Sequence, residues 1–202
     1  MSSIIVREIF SPVFDERRHA YTVNGLIVPS VTQLLCPLTS LVYGSIDQDV
    51  LTAAADFGTA VHACTEFLDQ GDLDEETVAV EWRPYLDAYK RWKDAATPEI
   101  LHIELRLGCS KFAGTIDRIA RIDGQLWVID LKTTCEIHPH VGVQLAAYTA
   151  LAEKFLNTTN IRRAALQLRP DGTFRFKEFS SVADETCFNA LLSINYWTKV
   201  TQ

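Results

Sequence analysis

Long apolar runs are missing from this 202-residue chain. None approaches the roughly 18–20 residues that a membrane-spanning helix needs. The opening MSSIIVREIF also lacks the pattern of a secretory signal. Both absences point to a cytoplasmic protein. Paired cysteines are missing too: Cys36, Cys64, Cys109, Cys135 and Cys187 are odd in number, scattered, and contain no C-x-x-C. Such spacing argues against a disulfide framework, a zinc site or an iron–sulfur cluster, and predicts buried free thiols. Repeats, low-complexity tracts and long linkers are absent as well. The expectation is therefore one domain over 1–202.

A positive excess, the usual mark of a nucleic-acid binder, is also lacking, since the formal charge is −7. The imbalance is local, however. Residues 61–100 hold ten acids against four bases, whereas 101–202 hold ten acids against twelve bases. A global acidic balance bears on solubility and general attraction, not on a single groove. What the chain does have is ordinary globular composition, 48% hydrophobic and 22% charged, enough for a full core.

Turn and capping signals organise the first half. Ala20 to Val28 reads as a hairpin around Asn24-Gly25. Ser30 is placed to cap a short helical run, VTQLL. Asp47 or Asp49 suits the start of a longer helix that ends near Gly71. Glu75 to Ala95 is a further helix, with a break or restart predicted near Arg83 because Pro84 follows. The aromatic stripe Trp82, Tyr85, Tyr89 and Trp92 has the spacing of a buried helical face, and base stacking is its alternative.

The second half alternates strands and one crossover. Ile100 to Leu107 alternates strictly, with Leu101, Ile103, Leu105 and Leu107 on one face and His102, Glu104 and Arg106 on the other. A hairpin over Thr115–Lys132 follows, then a helix from Pro139 to about Phe155 and a strand over Arg163–Leu168. That strand–helix–strand unit predicts a parallel pair. Pro170-Asp171-Gly172 turns the chain into a strand over Thr173–Phe179, and a last helix ends near Trp197. The whole reads as an α/β sheet flanked by helices: a β-hairpin and helical part over 1–95, then an α/β core over 96–202.

The Thr115–Lys132 hairpin carries the chemistry. With Asp123-Gly124 as a two-residue type I′ turn, Ile122 faces Gln125, and counting outward sets Asp117 opposite Asp130. Lys132 points the same way as Asp130. Two carboxylates about 5 Å apart repel by roughly 3 kcal/mol at an effective dielectric near 20. A divalent cation is the obvious counterweight. Metal-assisted phosphodiester hydrolysis needs hard oxygen ligands and a nearby cation. Asp117 and Asp130 supply the first, Lys132 the second, and the Leu131 carbonyl between them is a further oxygen donor. The rival reading is a solvated strand surface with a lysine bridging two acids.

G-T-I-D at Gly114–Asp117, D-L-K at Asp130–Lys132 and Q-L-A-A-Y at Gln144–Tyr148, with GTAVH at Gly58–His62 upstream, resemble the RecB-type branch of the PD-(D/E)XK nuclease superfamily. The likeness covers about Asp56 to Tyr148. Residues before Asp56, a hairpin followed by PSVTQLL, resemble the leader of small phage and prophage nucleases. The resemblance implies a restriction-endonuclease-like mixed sheet, with Asp117, Asp130 and Lys132 as catalytic residues. It implies a Mg²⁺ cofactor with Mn²⁺ substituting, His62 as an added ligand, and Glu104 as an acid of lower rank. Gln144 and Tyr148 are implied to help place DNA. An exonuclease of recombination or end processing is the activity implied, with DNA as substrate and a recombination or single-strand-binding or annealing protein as partner. Other readings stay open: a structure-specific endonuclease, or a non-catalytic DNA-binding or inhibitory module. His62 and Glu66, one turn apart, would also suit a simple hydrogen-bonded pair. Arg17-Arg18-His19 and Arg162-Arg163 are candidates for phosphate contacts.

Overall fold

The computed structural model describes residues 4–18 and 20–200. Its first strands, β1 (Val13–Asp15), β2 (Ala20–Val23) and β3 (Leu26–Val28), form a small antiparallel sheet in that order. Asn24 and Gly25 both have positive φ, +49° and +79°, the type I′ conformation that closes a two-residue hairpin. β1 has no counterpart in the sequence expectation. Helix α1 (Val31–Leu34) starts with a capping box: the Gln33 amide donates to Ser30 Oγ at 3.0 Å, and the Ser30 amide donates to Gln33 Oε1 at 2.9 Å. A separate helix, α2 (Cys36–Tyr43), follows, and none of its residues is buried.

Helix α3 (Gln48–Gln70) is capped by Asp47 and stops at Gly71, whose φ of +79° supplies the left-handed C-cap. After a 3₁₀ turn at Glu75–Thr77 comes α4 (Arg83–Ala96). Pro84 sits in its first turn, where a missing amide hydrogen costs no helical hydrogen bond. The restart predicted at Arg83 is therefore where α4 begins.

The main sheet comprises β4 (Glu99–Gly108), β5 (Ala113–Ile122), β6 (Gln125–Lys132), β7 (Ile161–Leu168) and β8 (Phe174–Phe179), in that spatial order. Its one parallel pair is β6–β7, linked through α5 (His140–Leu156); the other pairs are antiparallel. The last helix is α6 (Val182–Val200). The sheet is thus mixed and flanked by helices, a restriction-endonuclease-like arrangement.

Two cores sandwich the sheet. On one face α1, α5 and α6 pack on Ile116, Ile119 and Val128; on the other, Val61 of α3 and Tyr89 and Trp92 of α4 pack on Trp127, Ile129 and Leu131. β6 is therefore apolar toward both faces, as a central strand must be. Asp130 is the exception, only 2% exposed near the C-terminal end of that strand. Helix α5, wedged between sheet and α6, is buried from Val141 to Ala152. Such a helix is apolar nearly all round, so Gln144 within it needs a reason.

One strand departs from the alternation read in the sequence. A bulge between Ile100 and His102 shifts the β4 register. Ile100 then joins the α3–α4 side, while Leu101 joins Leu105 and Leu107 on the α5 side and the His102 ring meets Phe155 of α5 edge-on. Leu101 and His102 thus turn to the same side, two residues of β4 standing against one of β5.

Candidate metal centre

Asp123 and Gly124, at φ +49° and +78°, form the type I′ turn, and the β5–β6 ladder runs outward from Ile122–Gln125 to Arg118–Ile129. Asp117 and Asp130 occupy the next position. There the regular ladder ends. The Leu131 amide donates to Asp117 Oδ2 at 2.7 Å, and the Asp117 carbonyl accepts from Arg118 Nη1 at 2.7 Å. A side-chain carboxylate thus takes a strand amide, which locks Asp117 between β4 and β6.

Glu104 arrives from the neighbouring strand. A tight turn joins Gly108 to Ala113, with the Cys109 amide donating to the Phe112 carbonyl at 2.9 Å. This sets Ile103 against Arg118 and Leu105 against Ile116, so Glu104 faces Asp117. Its φ of +46° lies in the left-handed region, unusual for a strand residue with a Cβ. Strain of this kind collects where a side chain must be aimed.

His62 completes the cluster from α3. Its Nε2 lies 3.1 Å from the Leu131 carbonyl and its Nδ1 lies 3.7 Å from Asp117 Oδ2. A carbonyl only accepts, so Nε2 carries a proton, and in the neutral ring Nδ1 turns its lone pair toward Asp117. Two acceptors facing each other call for a cation between them. Ligand atoms of His62, Glu104 and Asp117 all lie within 4.8 Å of one another. Ligands about 2.1 Å from a Mg²⁺ lie roughly 3–4.2 Å apart, so small side-chain adjustments suffice.

The electrostatics fit the same reading. Burial, then the Asp117 charge, pushes Glu104 up to about 8, with Arg118 partly offsetting them. Burial pushes Asp130 up to about 6 against the pull of Lys132. Both carboxylates lack enough positive charge nearby, a deficit that a hard divalent cation would fill. Asp130 Oδ2 is paired with Lys132 Nζ at 2.7 Å.

On the α5 side the patch continues as a chain. Lys132 Nζ donates to Gln144 Oε1 at 3.3 Å, and Gln144 Nε2 donates to the Tyr148 hydroxyl at 3.2 Å. Burial lowers the Lys132 pKa, but Asp130 and Asp117 outweigh it and the net shift is upward, so the ammonium stays charged. Burial and Asp130 raise the Tyr148 phenol well above its ordinary value, which keeps it the neutral hydroxyl that accepts from Gln144. Gly114 makes room for this ring. A Cβ there would lie 2.6 Å from Tyr148 Cε1, inside any tolerable contact. Gln144 and Tyr148 are themselves buried, so their observed contacts are with Lys132 and each other.

Sequence reasoning missed the support behind the cluster. Arg118 is fully buried and donates to Asp69 Oδ2 at 2.7 Å, Thr65 Oγ1 at 3.0 Å, Glu104 Oε1 at 3.3 Å and the Asp117 carbonyl. Asp69 also accepts from Lys93 Nζ at 2.7 Å and the Tyr89 hydroxyl at 2.5 Å. One guanidinium thus ties α3, α4, β4 and β5 to two members of the cluster. The available signal was an Arg directly after Asp117 on a strand buried on both faces.

Other expectations resolve plainly. Tyr89 and Trp92 are core residues, with Trp82 and Tyr85 packed against the core, so the stripe serves packing. His62 turns to Leu131 and Asp117, while Glu66 accepts from Gln70, so the His62–Glu66 pair does not form. Arg162 stacks 4.4 Å over Trp127 and pairs with Glu178, and buried Arg163 binds Asp184, Glu185 and the Ser181 carbonyl. These acids face β7 from β8 and α6 and occupy both arginines internally. Arg18 lies near Asp15, and His19 falls outside the described residues. Of the five thiols only Cys64 and Cys109 are buried, whereas Cys36 and Cys135 are exposed. No described helix is long and apolar enough to cross a membrane.

Comparison with known proteins adds one firm result. A family model described as the PD-(D/E)XK nuclease superfamily matches residues 77–192, more than half of the chain. No curated protein matches. Among solved structures the chain is similar to the crystal structure of SSO0001, with 18% identity, a TM-score of 0.38, and coverage of 87% of this chain and 76% of that one. That likeness is too distant to argue from.

Proposed function

Since the chain belongs to the PD-(D/E)XK nuclease superfamily, we propose that it is a Mg²⁺- or Mn²⁺-dependent deoxyribonuclease whose reaction centre is the patch between β4, β5, β6 and α3. The observation that carries this reading is the convergence of His62, Glu104 and Asp117 within 4.8 Å beside the Asp130–Lys132 ion pair. Hard oxygen and imidazole donors in this number suit a small divalent cation. Such an ion supplies Lewis-acid polarisation of the phosphodiester and charge stabilisation at the leaving oxygen.

The chain's own residues then divide the work. Asp117 and Glu104, with His62, would hold the ion, with the Leu131 carbonyl and Asp130 as further oxygen donors. Lys132, kept charged by these acids, presents its ammonium to the attacking water or to a phosphate oxygen. Gln144 and Tyr148 hold that ammonium in register from α5. Arg118 fixes the Asp117 backbone and the Glu104 carboxylate from behind. The helical part over 1–95 and the core over 96–202 act as a single nuclease domain, which fits the packing of α3 and α4 on the sheet.

Within the superfamily we assign the chain to the RecB-like branch, as an exonuclease of phage or bacterial recombination, repair or end processing in the cytoplasm. A recombination or single-strand annealing protein is the partner of that reading. GTAVH with its His62 at the cluster, and the Gln144–Tyr148 pair at Lys132, support it. The test is cleavage of end-labelled linear DNA and of a covalently closed circle, with Mg²⁺ and with EDTA. An exonuclease shortens the linear DNA progressively and leaves the circle whole. Cutting of the circle assigns endonuclease action instead. Asp130→Ala should remove all Mg²⁺-dependent cleavage while preserving the melting profile, and wild-type cutting by that variant refutes the site.

A further inference from the structure

Beside the candidate metal centre lies a cleft of about 860 Å³ that the proposed chemistry does not use. α3 forms part of its lining, with Val50 and Phe57 among the residues, and the loop after β6 supplies Thr133 to Glu136 and His138. Ala55, Thr133 and Thr134 belong equally to the smaller pocket that contains His62 and Lys132, so the two spaces share walls. The cleft is therefore continuous with the place where the scissile phosphate would sit.

Its lining is apolar and nearly uncharged, with Ile46, Val50 and Leu51 beside Tyr43, Phe57 and Tyr85. Phe57 and Tyr85 meet edge to face at 5.1 Å, and Tyr43 meets the His138 ring edge to face at 5.5 Å. The lining contains no lysine or arginine, and its one acid, Glu136, has a side chain 79% exposed. Phe57 and Tyr85 are packed against the core, whereas Val50 is 58% exposed and Tyr43 is only half-buried at the end of a helix with no buried residue. An apolar wall that includes half-buried rings and a few hydroxyls suits nucleobases, which stack on aromatic side chains whatever their sequence. Phosphates, by contrast, find a cation at Lys132, which lines the adjoining pocket on the catalytic side.

We infer that this cleft is a base-stacking subsite for unpaired nucleotides of the strand being cut, with Tyr43 as its principal platform. The inference rests on the nuclease reading for its substrate. It deepens that reading, because a site that takes unpaired bases beside the scissile phosphate favours single-stranded DNA or frayed ends.

Binding of fluorescent single-stranded oligonucleotides by anisotropy, in EDTA at low salt, tests it. One probe is oligo-dT, and the other has the same length and phosphates but abasic residues. The expected result is that wild type binds the base-bearing probe about tenfold more tightly, and that Tyr43→Ala removes most of this preference while Tyr43→Phe keeps it. Thermal melts check that Tyr43→Ala is folded, which its place on α2 favours. Equal binding of the two probes by wild type, or an undiminished preference in folded Tyr43→Ala, overturns the subsite and leaves the cleft to a protein partner. Mg²⁺-dependent cleavage by wild type, run in parallel, reports on the nuclease reading alone, so the two can fail separately.

Discussion

Loading the site with metal should expel protons, and the number can be worked out from the carboxylates. Glu104 is pushed up to about 8 and Asp130 up to about 6. At pH 7 these values leave Glu104 about 0.9 protonated and Asp130 about 0.1 protonated. Coordination requires the ionised forms, so Mn²⁺ binding to EDTA-treated protein releases about one proton per ion at pH 7. The release rises to about 1.5 at pH 6 and falls to about a quarter at pH 8.5. Calorimetric titration in two buffers of unlike ionisation enthalpy reads the number directly. Apparent affinity should rise about tenfold per pH unit near pH 7 and flatten above pH 8. Glu104→Gln should remove nearly all of the release at pH 7. Pronounced proton release by that variant, or none by wild type with affinity flat from pH 6 to 8, would refute the electrostatic reasoning.

The same shifts have a stability sign. A carboxylate whose folded pKa is raised favours the folded state fully below its unfolded value, and that contribution is lost as pH rises through the folded value. EDTA-treated protein should therefore lose several kcal/mol, at most about 8, between about pH 4 and 8, and Mn²⁺ should restore it. Thermal melts across that range check this. Arg118→Met should cost about 3–5 kcal/mol, because it leaves the Asp69 carboxylate buried without its guanidinium. Denaturant melts measure the loss, and a change within 0.5 kcal/mol would contradict it. Gly114→Ala should cost about 1–3 kcal/mol and slow cleavage by displacing Tyr148, readable from melts and initial rates; unchanged rates would sink the packing argument.

What the sequence made legible was local. Asn24-Gly25 and Asp123-Gly124 announce their own turn type, and from the second turn the facing of Asp117 and Asp130 follows by counting. Ser30, Asp47, Gly71 and Pro84 mark their helix ends through chemistry that acts within a few residues. The site's third acid, Glu104, was named from the sequence without its register, because the β4 bulge and the left-handed Glu104 leave no spacing signature. Its register depended on the Cys109–Phe112 turn, which lacks the Asn-Gly or Asp-Gly pair that would have given it away. Arg118 and Asp69 are 49 positions apart, so their pairing is a product of tertiary packing alone. The arginines at 162 and 163 show the converse. They look like phosphate contacts as a dipeptide, but the acids that neutralise them lie on β8 and α6.

The hairpin acids, first an electrostatic problem on paper, now have distinct surroundings. Asp117 holds a strand amide and faces His62 and Glu104, whereas Asp130 is paired with Lys132. The most direct test of that account is the rate of cleavage of end-labelled DNA by wild type and Asp117→Asn, each with Mn²⁺ and with EDTA. The account predicts cutting by wild type with Mn²⁺ and by neither protein in EDTA, with Asp117→Asn inactive throughout. Wild-type cutting in EDTA, or Asp117→Asn cutting at the wild-type rate with Mn²⁺, would contradict it.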